Sequence, residues 1–256
     1  MATKQVRGDA LNLRSSPQIL GGNIIGVLNN GQSVSTVAPT DSAGWVNCDA
    51  TVNGSMARGF VKAHLLRDPV SGAKERLMTN AVAEWLRFDK GQGQEHIAPF
   101  FRFVGEMWQA IGMDLDGRDR DQFWSAAFIS FIVRRAGPEY AGFRFSAAHA
   151  RYIHDSIVKR EAGTAAPFWG FRLNEHKVGL GDLVCQWREV PRTFDDAREL
   201  DSFKGHCDVV VEVAAGSVRA LGGNNSQSVN FKTYAINANG FLKAENKVFA
   251  VMRNNA

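Results

Sequence analysis

The sequence predicts two domains: a small all-β barrel over residues 1–67, and an α+β domain over residues 75–256 in which helices pack on an antiparallel sheet. Three observations carry this prediction. Short alternating segments separated by turns fill the first 67 residues. Apolar residues at helical spacing then recur from Leu77 to Ile157, and from Asp182 onward the apolar period becomes two.

In the N-terminal part, Leu11–Leu13, Ile24–Leu28, Ser33–Val37, Gly44–Cys48 and Ala57–Val61 alternate apolar with polar side chains. Asn29-Asn30-Gly31 and Asn53-Gly54 supply residues that tolerate positive φ at hairpins. Many short strands joined by tight turns predict a small barrel. The stretch 68–74 combines Pro69 with Gly72 and breaks the periodicity, as linkers between compact units do.

Beyond the linker, Leu77, Ala81 and Trp85 recur at four-residue spacing, as do Met78, Val82 and Leu86. Phe100, Val104, Met107, Trp108 and Ile111 form a second apolar stripe ending at Gly112. A third helix is expected to begin near Asp121 and to stop at Gly137-Pro138, with Ser125 in its first turn. A fourth, capped by Ser146, places His149 and Tyr152 on one face. Strands are expected over 182–187, 207–213, 217–221, 229–234 and 248–252.

Composition excludes several function classes. No run of about eighteen apolar residues is present to cross a bilayer, and no apolar signal core follows Met1, so synthesis in the cytoplasm is expected. Cys48, Cys185 and Cys207 form no Cys-x-x-Cys pair, which argues against a disulfide framework or a cysteine-rich zinc site. Residues 1–67 carry six basic and three acidic side chains and so hold +3 of the chain's net +4. Such an excess favours anionic polymers, but a dense basic run with interleaved aromatics is lacking, so nucleic acid is not an expected partner. No cofactor is called for.

Residues 1–67 resemble a bacterial SH3 domain, matching its pattern of Leu-Asn-Leu-Arg-Ser-Ser-Pro, Ile-Gly-Val-Leu-Asn-Asn-Gly, Gly-Trp-Val and Gly-Phe-Val in order across nearly the whole segment. The resemblance implies a targeting module for peptidoglycan, with Trp45 and Arg14 as candidate wall contacts. Burial bias instead favours a core role for Trp45, and Arg14 equally suits bracing a turn.

Residues 75–256 resemble the uncharacterised domain family numbered 2272, which is similar to the papain-like CHAP and NlpC cell-wall hydrolases. The resemblance lies in Trp124-Ser-Ala-Ala-Phe-Ile-Ser, Phe145-Ser-Ala-Ala-His-Ala-Arg-Tyr-Ile, Gly181-Asp-Leu-Val, Gly205-His-Cys-Asp-Val-Val-Val and Leu221-Gly-Gly-Asn-Asn. It implies a papain-like fold and a peptidoglycan amidase or endopeptidase. Ser125 takes the place of the nucleophilic cysteine, His206 that of the base, and Asn224 the third position that fixes the imidazole tautomer. Trp124, His149 and Tyr152 are candidates to line the substrate cleft.

Serine in place of cysteine changes the chemistry. A Ser-His pair creates imidazolium during attack and benefits from a carboxylate. Alternation puts His206 and Asp208 on one face of their strand and Cys207 on the other, so Asp208 is the candidate for an electrostatic or substrate-positioning group. Two alternatives stand beside the hydrolase: a wall- or protein-binding module on a hydrolase fold, and a zinc hydrolase using His206, Asp208 and His149. Action at the periplasm or cell wall after release or secretion is expected, with an immunity or inhibitor protein as a further possible partner.

Overall fold

The computed structural model describes residues 1–7 and 10–256. It divides into two compact units, 1–71 and 72–256.

The first unit is one antiparallel sheet built from β1 (Ala2–Val6), β2 (Leu11–Arg14), β3 (Ile24–Leu28), β4 (Ser33–Thr36), β5 (Trp45–Val52), β6 (Ser55–Lys62) and β7 (Leu66–Arg67), in the order β3-β2-β6-β5-β4-β1-β7. Asn53 and Gly54, with φ of 49° and 81°, make the two-residue turn that registers Val52 against Ser55. Val6, Leu13, Leu28, Val34, Cys48 and Val61 meet in one buried cluster. The expected closed barrel is not formed, because the two ends of the sheet, β3 and β7, carry no ladder to each other among the described residues. Two strands at the N-terminal part's margins, β1 and β7, complete the set that the alternating segments indicate.

The second unit is mixed α/β. Its helices are α1 (Gly72–Arg87), α2 (Phe100–Gln109), α3 (Ser125–Arg135), α4 (His149–Glu161) and α5 (Phe194–Glu199). Its strands are β8 (Phe168–Phe171), β9 (Leu183–Trp187), β10 (Gly205–Ala214), β11 (Ser217–Asn225), β12 (Ser228–Ala235) and β13 (Val248–Asn254), in the antiparallel order β12-β11-β10-β9-β13-β8. β8 is short and α5 has only six residues, so neither shows a sustained period in the sequence. Thr193 and Asp196 cap α5 reciprocally.

α3 is the central helix. Every residue from Ser125 to Val133 is buried, against α1, α2 and strands β10 and β11. It starts at Ser125, later than the expected start near Asp121, with Trp124 as its flanking residue. α4 begins at His149; Ser146 instead receives a hydrogen bond from the Ala148 amide at 3.0 Å. Both helices thus open at the same end of the sheet, each with a polar side chain at its first position.

Candidate active site

Ser125 and His149 meet where α3 and α4 begin. Ser125 Oγ lies 2.7 Å from His149 Nε2, and each residue is 5% exposed. They form part of the wall of a cleft of about 410 Å³, which Phe123, Arg188, Lys204, Asn224 and Lys247 also line. The other ring nitrogen of His149, Nδ1, is hydrogen-bonded to the Tyr152 hydroxyl one helical turn along. Burial first, and then the neighbouring His206, hold the His149 imidazole well below its ordinary pKa, so the ring is neutral at neutral pH.

His206 heads β10 and is fully buried, its ring centroid 5.2 Å from that of His149. His206 Nε2 donates to Asp208 Oδ1 at 2.8 Å, while Nδ1 accepts from the Arg188 guanidinium at 3.0 Å. Asp208 is also fully buried. It accepts further hydrogen bonds from Asn225 Nδ2, at 3.1 Å, and from the Tyr234 hydroxyl, and Lys232 Nζ stands 3.5 Å away. Burial opposes its ionisation, but His206, Lys232 and Tyr234 outweigh it and hold the carboxyl well below the usual range. Asp208 is therefore a buried, fully compensated anion.

Two glycines make this packing possible. A Cβ at Gly222 would fall 1.6 Å from Asp208 Oδ1, and one at Gly223 would fall 2.5 Å from Phe128 Cβ of α3. The β11–β12 register also shifts between Gly222 and Asn225. That bulge lets Gly222 and Asn225, three residues apart, both face Asp208, and it leaves Asn224, with φ of 54°, to the cleft.

The profile of a family described as "Uncharacterized protein conserved in bacteria (DUF2272)" matches residues 91–255, more than half of the chain. The chain belongs to the DUF2272 family. The solved structure of NlpC2 from Trichomonas vaginalis aligns with 98% of this chain and 72% of its own at 11% identity, but the TM-score of 0.29 carries no argument about fold or activity. Among curated proteins, none matches.

Within the DUF2272 domain, the structure rearranges the expected site. The ring within hydrogen-bond reach of Ser125 belongs to His149 and not to His206, because His206 is held between Asp208 and Arg188. Asp208, and not Asn224, is the bonded partner of His206; the two stand two apart on one strand face and bond directly. Trp124 does not line the cleft. It is 1% exposed, stacks on Phe88 with centroids 5.6 Å apart, and donates its indole N–H to buried Glu95. Tyr152 is 1% exposed and reaches the site only through His149.

The zinc arrangement does not fit either. All four imidazole nitrogens of His149 and His206 are engaged, one of them by a guanidinium, and no cluster of three or more metal-ligating side chains is gathered among the described residues. Arg188, Tyr234, Lys232, Asn225 and Glu95 complete the site without having been singled out by motif. Only Asn225, beside Asn224, stands in a stretch the sequence marks out.

In the first unit, the Arg14 guanidinium donates to Leu20 O at 2.8 Å and to Asn23 Oδ1 at 2.7 Å, bracing the turn before β3. It also borders a hollow of about 270 Å³ that Arg7, Ile19, Trp45 and Lys62 line. Trp45 is 6% exposed, with the Lys62 ammonium 4.3 Å above its ring.

Proposed function

We propose that this protein is a peptidoglycan hydrolase in which Ser125 attacks an amide carbonyl of the wall peptide and His149 acts as the base. The observation that carries this reading is the 2.7 Å contact of Ser125 Oγ with His149 Nε2 at the wall of the cleft. A serine hydroxyl does not ionise near neutral pH, so it needs a neutral imidazole within hydrogen-bond reach, and His149 is held neutral by burial.

As the Ser125 Oγ–carbon bond forms, the hydroxyl proton passes to His149 Nε2. The first-turn amides of α3, which have no acceptor within the helix, are available to stabilise the oxyanion. Collapse breaks the carbon–nitrogen bond, and the departing amine takes its proton back from the His149 imidazolium. Water then releases the acyl group by the same route in reverse. Asp208 contributes at a distance: its negative charge favours the transient imidazolium, while the Arg188 charge opposes it.

The cleft wall supports a peptide that bears carboxylates, since Arg188, Lys204 and Lys247 stand there against one acidic residue, Glu189. The first unit suits an SH3-like targeting role, with Arg7, Arg14 and Lys62 around its hollow offering cations to an anionic wall polymer.

The test is release of new amines from purified peptidoglycan. Wild-type protein is expected to release them, and Ser125→Ala to lower the rate by about 10³-fold or more. Full activity in Ser125→Ala overturns the nucleophile assignment. The 5% exposure of both Ser125 and His149 favours a second reading, recognition of wall fragments without cleavage; that reading expects wall binding and no amine release from either form.

A further inference from the structure

Arg188 stands between the sealed histidine and the open cleft. It directly follows β9, and its backbone is held on both sides. The Arg188 amide donates to Lys204 O at 2.7 Å, and the Val190 amide donates to Arg188 O at 2.7 Å. The side chain is held as well. Its Nη2 donates to His206 Nδ1 at 3.0 Å, and His206 Nε2 donates to Asp208 Oδ1 at 2.8 Å. A guanidinium only donates and an ionised carboxylate only accepts, so the ring between them has one tautomer. His206 thus passes the fixed position of buried Asp208 on to the guanidinium.

A guanidinium has five N–H groups, and the bond to His206 uses one. The rest of the fork has no partner among the described residues, and none of their carboxylates pairs with it. Arg188 is exposed and lines the cleft. The other two cations of the wall are placed differently. Lys204 Nζ is paired with Glu189 Oε1 at 2.7 Å, and the Lys247 ammonium lies 5.1 Å from the centre of the Trp187 ring. Both lysines are point charges on flexible stems, whereas the braced guanidinium presents a planar fork that matches a carboxylate. Bracing also lowers the entropy lost when a ligand is gripped.

One imidazole separates this fork from the ring that serves Ser125, since the His206 and His149 ring centroids are 5.2 Å apart. A carboxylate docked on Arg188 therefore belongs to the same short stretch of peptide as the amide in front of Ser125.

We infer that Arg188 is the specificity-determining residue of the cleft, a braced fork that selects peptides carrying a free carboxylate within a few residues of the amide that is cut. The inference rests on the reading of Ser125 as nucleophile and deepens it, because it gives recognition to one residue and requires discrimination against the uncharged amide. A carboxamide of the same shape offers one acceptor where the carboxylate offers two, and it turns an N–H toward a group that only donates.

An acetylated wall peptide in three forms tests this: both its internal and its terminal carboxyl free, the internal one converted to carboxamide, and the terminal one converted. In amine release by the wild type, kcat/KM should fall by about tenfold to a hundredfold for at least one carboxamide form, the range for hydrogen bonds to a charged group. The form that suffers shows whether the fork takes the internal or the terminal carboxylate. Arg188→Gln should cut all three forms nearly equally well. A merely structural role for Arg188 would slow all three alike and leave the ratio between them as in the wild type.

Equal rates on the three forms in the wild type, or an unchanged ratio in Arg188→Gln, overturn the inference. If Arg188→Gln does not fold, Arg188→Lys takes its place, since it keeps the charge and loses the fork; a preference for the acid as large as that of the wild type also overturns it. Binding titrations of the same peptides to Ser125→Ala keep the two readings apart. Tighter binding of the acid form, lost when Arg188→Gln is added, together with no amine release from the wild type, refutes the nucleophile reading alone.

Discussion

The two faces of β10 hold two histidine systems built on opposite principles. On the face toward α4, His149 is bonded to the hydroxyls of Ser125 and Tyr152, partners with no formal charge. On the other face, His206 is bonded to an ionised Asp208 that Tyr234, Lys232 and Asn225 compensate. The first system touches the cleft, and the second is sealed. Two rings 5.2 Å apart therefore do different work: the neutral, cleft-side ring can exchange a proton with Ser125, while the sealed ring closes a buried polar network whose integrity the fold depends on.

The largest expected effect separates the two rings. His149→Ala should lower amine release by about 10²- to 10⁴-fold, the usual contribution of a general base, with little change in Tm. His206→Ala should act chiefly on stability, seen as a lower urea midpoint. If His206→Ala instead abolishes turnover at an unchanged urea midpoint, the assignment of roles is reversed.

Next comes the buried anion. Asp208→Ala leaves Lys232, Tyr234 and the His206 N–H without their acceptor and should lose about 3–5 kcal/mol in urea unfolding, the usual result of breaking one partner of a buried charge network. A loss under about 1 kcal/mol would show that water reaches the carboxylate, contrary to its full burial. Gly222→Ala forces a methyl group to within 1.6 Å of Asp208 Oδ1 and should lose about 1–3 kcal/mol, the usual range for overpacking. Serine or alanine tolerated there without loss would mean that the bulge at 222–225 yields freely.

The smallest effect is the pH dependence of stability. Both histidines are depressed by burial from the ordinary 6.5, so below that value the unfolded chain binds protons that the native protein does not. Stability should therefore decline as pH falls below about 6.5, and His149→Gln should flatten that part of the profile. Asp208, held below 3.8, contributes stability that is present above 3.8 and lost as pH falls through its lowered folded value. A Tm that rises on acidification from pH 7 to 5 would contradict both histidine shifts.

Several features of the site were legible before any fold was known. Ser125 at a helix start, His206 and Asp208 on one strand face, Cys207 on the other, and His149 with Tyr152 on one helix face all follow from periods of 3.6 and 2. Which histidine serves Ser125 did not follow. Order along the chain pointed to His206, whereas the choice depends on how α3 and α4 converge at one end of the sheet. Trp124 shows the same limit: its neighbour Ser125 reaches the cleft, but Phe88 and Glu95, far away in sequence, hold the indole inside. Asn224 faces the cleft instead of orienting an imidazole, and Asn225, for which the sequence carried no expectation, bonds Asp208, because a bulge interrupts strand alternation and leaves no periodic mark.

Local periodicity, a property of neighbouring residues, was enough to place the succession of strands, helices and strands and the faces on which the chemistry-bearing residues lie. The tertiary structure alone decided the pairings, Ser125 with His149 and His206 with Asp208, and the open ends of the first sheet. Hydrogen-bond partners are chosen by distances of about 3 Å between segments that the chain separates by tens of residues, and only packing brings those segments within reach.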